Sequence, residues 1–422
     1  MEQADKADLM RAVGLLHAHG QSTAKTLETG ARLAGHFGLD LVLMPGWDGI
    51  AVQARNGALY MAPGKPDAVN MARVAAVNAA CDDLIAGHLP RGDFRAVLDR
   101  AANLPPSSDL TFAGAAALGA VALAVIFGGD VPASMLLIAL AAGLGGLLRR
   151  RMGALGASGI WQAFAAALLA GLFGALADHL HLTSAQRLVA VCPCMVLVPG
   201  PHLLNGCFDV IAGRVQLGLA RLGFAVAVLA GISVGVVAGL LLGGSSLPPA
   251  EPIGSAPLLW DIPAAAAAAL AYSVFFSAPP RMFLAPMLVG AAAHAARWLA
   301  MHEAAMPMAL ASGLACLIVG AVLAPVSLRR NLPFAAAGFA AVVALVPGLF
   351  AFRAMSAAAL LTTAKADQKA ELAGIVAADL ATITVTMVAM AAGLILPMAV
   401  ARALAARAAG RERNAHDSRR AR

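Results

Sequence analysis

Between residues 110 and 400 the chain carries only 22 charged side chains in 291 positions. Charged residues make up about a quarter of an ordinary globular domain, so a water-soluble fold of this length would carry several times as many. An apolar stretch that long is read as a multi-span helical membrane domain. The flanks differ from it. Residues 1–109 hold 22 further charges with a net −2, and residues 401–422 hold nine with a net +5. With 60 % of the chain apolar and 13 % charged, a secreted, fibrous, disordered or wholly soluble protein is excluded.

The overall net charge of +7 does not read as a nucleic-acid signature. Its arginines lie between hydrophobic spans and in the tail, without the interleaved aromatics of RNA binders, so no nucleic-acid partner is expected. The five cysteines, Cys81, Cys192, Cys194, Cys207 and Cys316, lack zinc spacing; Cys192-Pro-Cys194 is one residue short of C-x-x-C. They read as reduced, packed thiols, and neither metal nor cofactor is implied. The polar start, MEQADKADLM, has no apolar core of a cleaved signal peptide, so the first span is expected to target the chain itself.

Residues 1–104 read as a small α+β domain. Leu9, Val13 and Leu16, then Leu27 and Leu33, place helices over 7–19 and 23–37, with Gln21-Ser22-Thr23 as a cap between them. Short strands are expected at 39–45, 49–54 and 58–62, with Arg55-Asn56-Gly57 turning a hairpin. Further helices follow at 67–87 and 92–101, and residues 101–109 form a linker.

Ten spans are expected near 111–128, 132–148, 159–177, 187–204, 218–242, 263–278, 282–299, 307–327, 333–352 and 378–400. This divides the chain into a cytosolic domain (1–104), a first five-helix half (105–242), an external linker (243–262), a second five-helix half (263–402) and a basic cytosolic tail (403–422). With the N-terminal domain inside, the inner loops hold Arg149, Arg150, Arg151, Arg214, Arg221, Arg281, Arg329 and Arg330. The outer segments hold Arg187, Arg297, Arg353, Lys365 and Lys369, so both termini are placed in the cytoplasm.

The string LVPG occurs at 197–200 and again at 345–348, late in the fourth span of each half. Five spans per half is an odd number, so repeated halves must lie in opposite orientations, the plan of many secondary transporters. Proline removes a backbone N–H and glycine relaxes the helical dihedrals, so each Pro-Gly should break its helix within the membrane. Such a break either supplies backbone ligands for a polar solute or merely kinks the helix for packing. The matched pair, Pro199-Gly200 and Pro347-Gly348, favours ligands gathered around one cavity.

The first copy continues as LVPGPHLLNGCFDVIAGRVQLGLARL (197–222). This resembles the signature of the threonine/serine exporter family, PG-x-x-L-x-N-x-x-x-D-hydrophobic-x-x-G-x-x-x-x-G-hydrophobic-A-R-L. Pro199, Gly200, Leu203, Asn205, Asp209, Gly213, Gly218, Ala220, Arg221 and Leu222 fall on that pattern. MARVAAVNAACDDLIAGHLPRGDFRAVLDRA resembles the family's stretch ahead of its first span. FFSAPPRMFLAPMLVG (275–290) and LVPGLFAFRAM (345–355) resemble its companion membrane domain. The chain departs from the pattern at His202, where small or apolar residues are usual, and at Phe352, where tyrosine is more frequent. The resemblance implies a fused, single-chain form of what relatives build from two subunits, set in a bacterial inner membrane.

The polar residues near the breaks are the candidate site. Asp209 could bind an ammonium group or carry a coupling proton, or pair with Arg214 or Arg221. Asn205 could hold substrate or cap a helix, and His202 is the one group of that segment that titrates near neutrality in water. In the second half, Arg353 could hold a carboxylate by a two-point fork. His294 and Arg297 lie one turn apart, and Asp379, Thr382 and Thr386 share a helix face. Asp178, His179 and His181 read as solvated loop residues.

The function expected from the resemblance is secondary export of small amino acids such as threonine or serine, driven by the proton gradient. Export of a C4 dicarboxylate such as succinate is the alternative within transport. A membrane sensor or enzyme working through the soluble domain is the alternative outside it. No Walker loop is present, and residues 1–104 hold no convincing nucleophile–base set, so no enzymatic activity is expected. A homo-oligomer is compatible with the sequence.

Overall fold

In the computed structural model, which describes residues 2–246, 254–330, 334–362 and 364–420, the N-terminal domain is built on two helices. Helix α1 (Glu2–Ala18) carries Glu2 and Asp5 in its first turn, where the helix dipole favours them, and buries Leu9, Ala12, Val13 and Leu16. Helix α2 (Thr23–Phe37) ends at Gly38, whose φ of 71° lets its N–H reach back to the last carbonyls. Ser22 is the cap residue by position, yet its side chain makes no capping bond. Strands β1 (Leu41–Pro45), β2 (Gly49–Ala54) and β3 (Leu59–Pro63) form an antiparallel meander in that order. Val52 stands opposite both Leu43 and Tyr60. Gly57, at φ 82°, closes the expected hairpin turn. Helix α3 (Met71–Ile85) starts four residues later than expected because the Asn70 side chain caps it, accepting from Arg73 N at 3.1 Å. Helix α4 (Arg91–Ala102) completes the domain.

The membrane region begins where the Ser108 side chain caps α5 (Asp109–Ile126). It continues through α6 (Pro132–Ala154), α7 (Gly159–His179), α8 (Thr183–Met195), α9 (Gly200–Ile211) and α10 (Val215–Leu242). The second half comprises α11 (Leu258–Phe275), α12 (Leu284–His302), α13 (Met308–Arg330), α14 (Phe334–Val342), α15 (Gly348–Leu361) and α16 (Ala366–Arg420). Among the described residues eight helices are long and apolar enough to cross a bilayer, and two bent pairs raise the number to ten. The protein is therefore a polytopic helical membrane protein. The expected fourth and ninth spans are each two helices meeting at an angle, as the Pro-Gly pairs within them imply. Helix α16 also continues well past residue 400, through the stretch assigned to the tail.

The halves repeat one packing plan. Helix α7 lies along α10, and α13 lies along α16. In both pairs small residues let the backbones touch. A Cβ on Gly171 would come within 2.2 Å of Val236 O, and one on Gly393 within 2.4 Å of Gly313 O. Helix α5 packs against α11, and the two run in opposite senses. Ala256 N, just ahead of α11, donates to Ile126 O at the end of α5. Ser107, just ahead of α5, donates to Ser277 Oγ beyond the end of α11. The first helices of the two halves are thus antiparallel, as an inverted repeat requires.

The soluble domain sits on one end of this body. Met71 N and Ala72 N donate to Phe276 O and Ser277 O at 3.0 and 3.1 Å. Arg150 bonds Asp109 at 2.8 Å and Ser107 at 3.0 Å on the same end. At the opposite end His179 bonds Gly243 O and Ser245 Oγ donates to Asp178 at 2.7 Å, so Asp178 is partnered rather than merely solvated. Residues 247–253 of the expected external linker, and the side chains of Arg329 and Arg330, lie outside the described residues.

Candidate functional site

Both Pro-Gly pairs break their helices. Segments 187–195 and 200–211 meet at 55°, and segments 337–345 and 348–358 meet at 54°. Pro199, with φ −81° and ψ 61°, is the centre of an inverse γ-turn, and Gly200 N donates to Val198 O at 2.9 Å. The second break repeats this bond 148 residues later, Gly348 N to Val346 O at 2.8 Å.

The two breaks touch crosswise. Gly200 lies against the Phe339 ring of α14, so close that a Cβ there would fall 1.6 Å from it. Gly348 lies against Met195 of α8. The carbonyl of Met195 loses its i+4 donor at Pro199, which lacks an N–H, and keeps only the longer bond from Val198 N at 3.3 Å. The buried Tyr272 hydroxyl donates to the same carbonyl at 2.7 Å. That carbonyl therefore serves the inter-half contact, contrary to the expectation that freed backbone groups line a polar cavity. The space beside Gly200, Phe339 and Val346 is apolar and small, about 20 Å³.

The polar candidates gather instead at the soluble-domain end. Asp209, 1 % exposed, accepts from Thr23 Oγ1 at 2.8 Å and from Arg214 Nε at 2.9 Å. Arg221 Nε of α10 stands 3.1 Å from Oδ2, the oxygen that also accepts from Thr23, while Arg214 faces Oδ1. Asn205 Nδ2 donates to Gly20 O at 3.3 Å. His202 packs on Phe224, which also meets Trp47 of the β1–β2 turn. His17 is pushed down to about 4 by burial first and then by the Arg221 guanidinium, while His19 is pushed down to about 4 by burial and Arg73. Both imidazoles are thereby held neutral. Beside Asp209 a cavity of about 160 Å³ opens between α2, α9, α14 and α16.

Arg353 stands apart from this cluster. It grips Asp379 of α16 with two hydrogen bonds, one of them Nε to Oδ2 at 2.7 Å. Asp379 therefore faces an arginine, while Thr382 bonds back to Ala378 O of its own helix at 2.8 Å. His294 bonds Asp261 of α11 at 3.0 Å rather than acting with Arg297. Each half thus has one buried carboxylate–arginine clamp between the helix after its break and its last helix. The polarity is reversed, with acid on α9 in the first half and acid on α16 in the second.

Thr23, Tyr272 and Phe339 were not legible as functional residues. Thr23 reads as part of a helix cap, and Tyr272 and Phe339 lie in apolar spans with no motif that singles them out. All five cysteines are free thiols.

Two family models cover most of the chain. The model described as "Putative threonine/serine exporter" matches residues 9–243, and the model "Threonine/Serine exporter, ThrE" matches residues 261–400. No curated protein and no solved structure matches. The first match spans the soluble domain and the first half together, and the second coincides with the inverted second half. The chain belongs to the threonine/serine exporter family and carries both of its regions fused in one polypeptide.

Proposed function

We propose that the protein is a secondary carrier that exports threonine and serine from the bacterial cytoplasm across the inner membrane, coupled to the proton gradient, with both termini cytoplasmic. The observation that carries this reading is the matched pair of broken helices, bent 55° and 54° and touching crosswise between inverted halves. A helix interrupted in mid-span can pivot one segment without moving the other, and two such segments in opposite orientations provide one moving element toward each face. Pro199, Gly200, Pro347 and Gly348 act as the hinges. Asp209 with Asn205 and His202 forms the polar station on the soluble-domain side, and Arg353 with Asp379 forms the one beyond the breaks. A side chain of either sign at each station suits a zwitterionic solute.

Counterflow in proteoliposomes tests this. Vesicles preloaded with unlabelled threonine should accumulate labelled threonine and serine, and an imposed proton gradient should drive net movement. Uptake of succinate in place of threonine would assign the carrier to dicarboxylates. The absence of all counterflow would shift the function to the soluble domain.

A further inference from the structure

The Asp209 cluster is one negative charge short. A single carboxylate faces two guanidiniums, and Arg221, 1 % exposed, already compensates it from the buried side. Arg221 Nη2 is buried without a hydrogen bond among the described residues. Arg214, its side chain 24 % exposed, is the surplus cation, and it lines the 160 Å³ cavity next to Asp209. The rest of that wall is largely apolar, with Phe208 from the first half and Phe334 and Met398 from the second. Its volume of about 160 Å³ leaves room for a small solute.

The α1–α2 connection fills the polar needs of α9 with two groups. Thr23 supplies a hydroxyl to Asp209, and Gly20 supplies a carbonyl oxygen to Asn205. Hydroxyl and carboxyl oxygens are also what a free hydroxy amino acid presents, and its ammonium complements Asp209. We infer that this cavity takes up the amino-acid cargo on the soluble-domain side and that Thr23 occupies the cargo's hydrogen bond to Asp209 while the site is empty. The inference rests on the export reading above. Cargo entry replaces the Thr23 hydroxyl at Asp209 and places the cargo carboxylate on Arg214. Removing the Thr23 donor frees the site, because the occupied state taxes the apparent affinity by its population.

The experiment uses the full chain in proteoliposomes and labelled threonine counterflow measured from the soluble-domain side. Thr23→Val, which keeps the shape and loses the hydroxyl, should lower KM by about tenfold, the worth of one hydrogen bond to a charged group. Thr23→Ser restores the donor and should return KM toward wild type. Arg214→Gln should raise KM by about tenfold. Threoninamide, which lacks the carboxylate, should compete poorly with threonine in the wild type. A Thr23→Val protein with unchanged or raised KM overturns the inference. So does a wild type in which threoninamide competes as well as threonine, a measurement that needs no variant to fold. A wild type without threonine or serine counterflow overturns the export reading and this site with it.

Discussion

Asp209 is held by two guanidiniums and one hydroxyl, so a change there has two separable effects. Asp209→Asn keeps the shape but leaves Arg221 buried without a counter-charge, a loss of about 3–5 kcal/mol in comparable buried pairs. Its melting temperature in detergent should fall, and gradient-driven export should vanish. The double variant Asp209→Asn/Arg221→Gln removes both charges and should recover much of the stability without the transport. The second clamp allows the same dissection: Arg353→Met strands Asp379, 1 % exposed, and should be less stable than Arg353→Met/Asp379→Leu. His17 and His19 give the soluble domain a pH dependence. Their pKa values lie near 4 in the fold against 6.5 for a solvated imidazole, so the unfolded chain binds the extra protons. Stability is full above about pH 6.5, declines as pH falls toward 4 and levels off below it. Melting followed across that range should show the decline, and replacing both histidines by Gln should flatten it. At this scale the sequence disclosed Asp209, Asn205 and Arg353 through their motif and their rarity in apolar spans. It could not disclose Thr23, because the bond to Asp209 joins residues 186 apart and a hydroxyl at a helix start has a sufficient local explanation.

At the scale of elements, the paired breaks follow from backbone chemistry, since Pro-Gly in an apolar run disrupts the helical ladder wherever it sits. What surrounds each break does not follow from it, and the two sites are not interchangeable. A Cβ on Gly348 would meet Met195 at 3.4 Å, an ordinary contact, whereas one on Gly200 would overlap the Phe339 ring at 1.6 Å. Pro347-Gly348→Ala-Ala should therefore straighten its helix with the melting temperature held or raised and counterflow sharply reduced. Pro199-Gly200→Ala-Ala should lose stability first, and adding Phe339→Leu should restore folding but not transport. Detergent melts beside counterflow for the three proteins check this order. If the Pro347-Gly348 variant transports normally, that break is no hinge. The sequence treats the sites as equivalent because the echo of four residues carries no information about the ring that packs on one of them.

For the whole molecule, a many-span body was legible from the spacing of apolar runs, eight to ten spans among the described residues, and the inverted repeat from the LVPG echo. The structure places Arg150, Arg214 and Arg221 toward the N-terminal-domain end. A reporter fused after Gly244, at the opposite end beside His179, should score as external, with one at the C-terminus cytoplasmic. A cytoplasmic score after Gly244 would mean halves of one orientation. The docking of the domain was not legible, because a few hydrogen bonds at Phe276, Ser277, Asn205 and Asp209 leave no periodic trace. That docking sets the domain on one face only, and the body beneath it is otherwise pseudo-symmetric. A domain tethered to its own chain is never used up, so it does no net work in a cycle and cannot give transport its direction. In the carrier cycle proposed above, its place is to bias the resting orientation of the unloaded protein. The bias is felt in every turnover of net efflux, where the carrier must return empty. It weighs far less on one-for-one exchange, where the return journey is made with solute aboard.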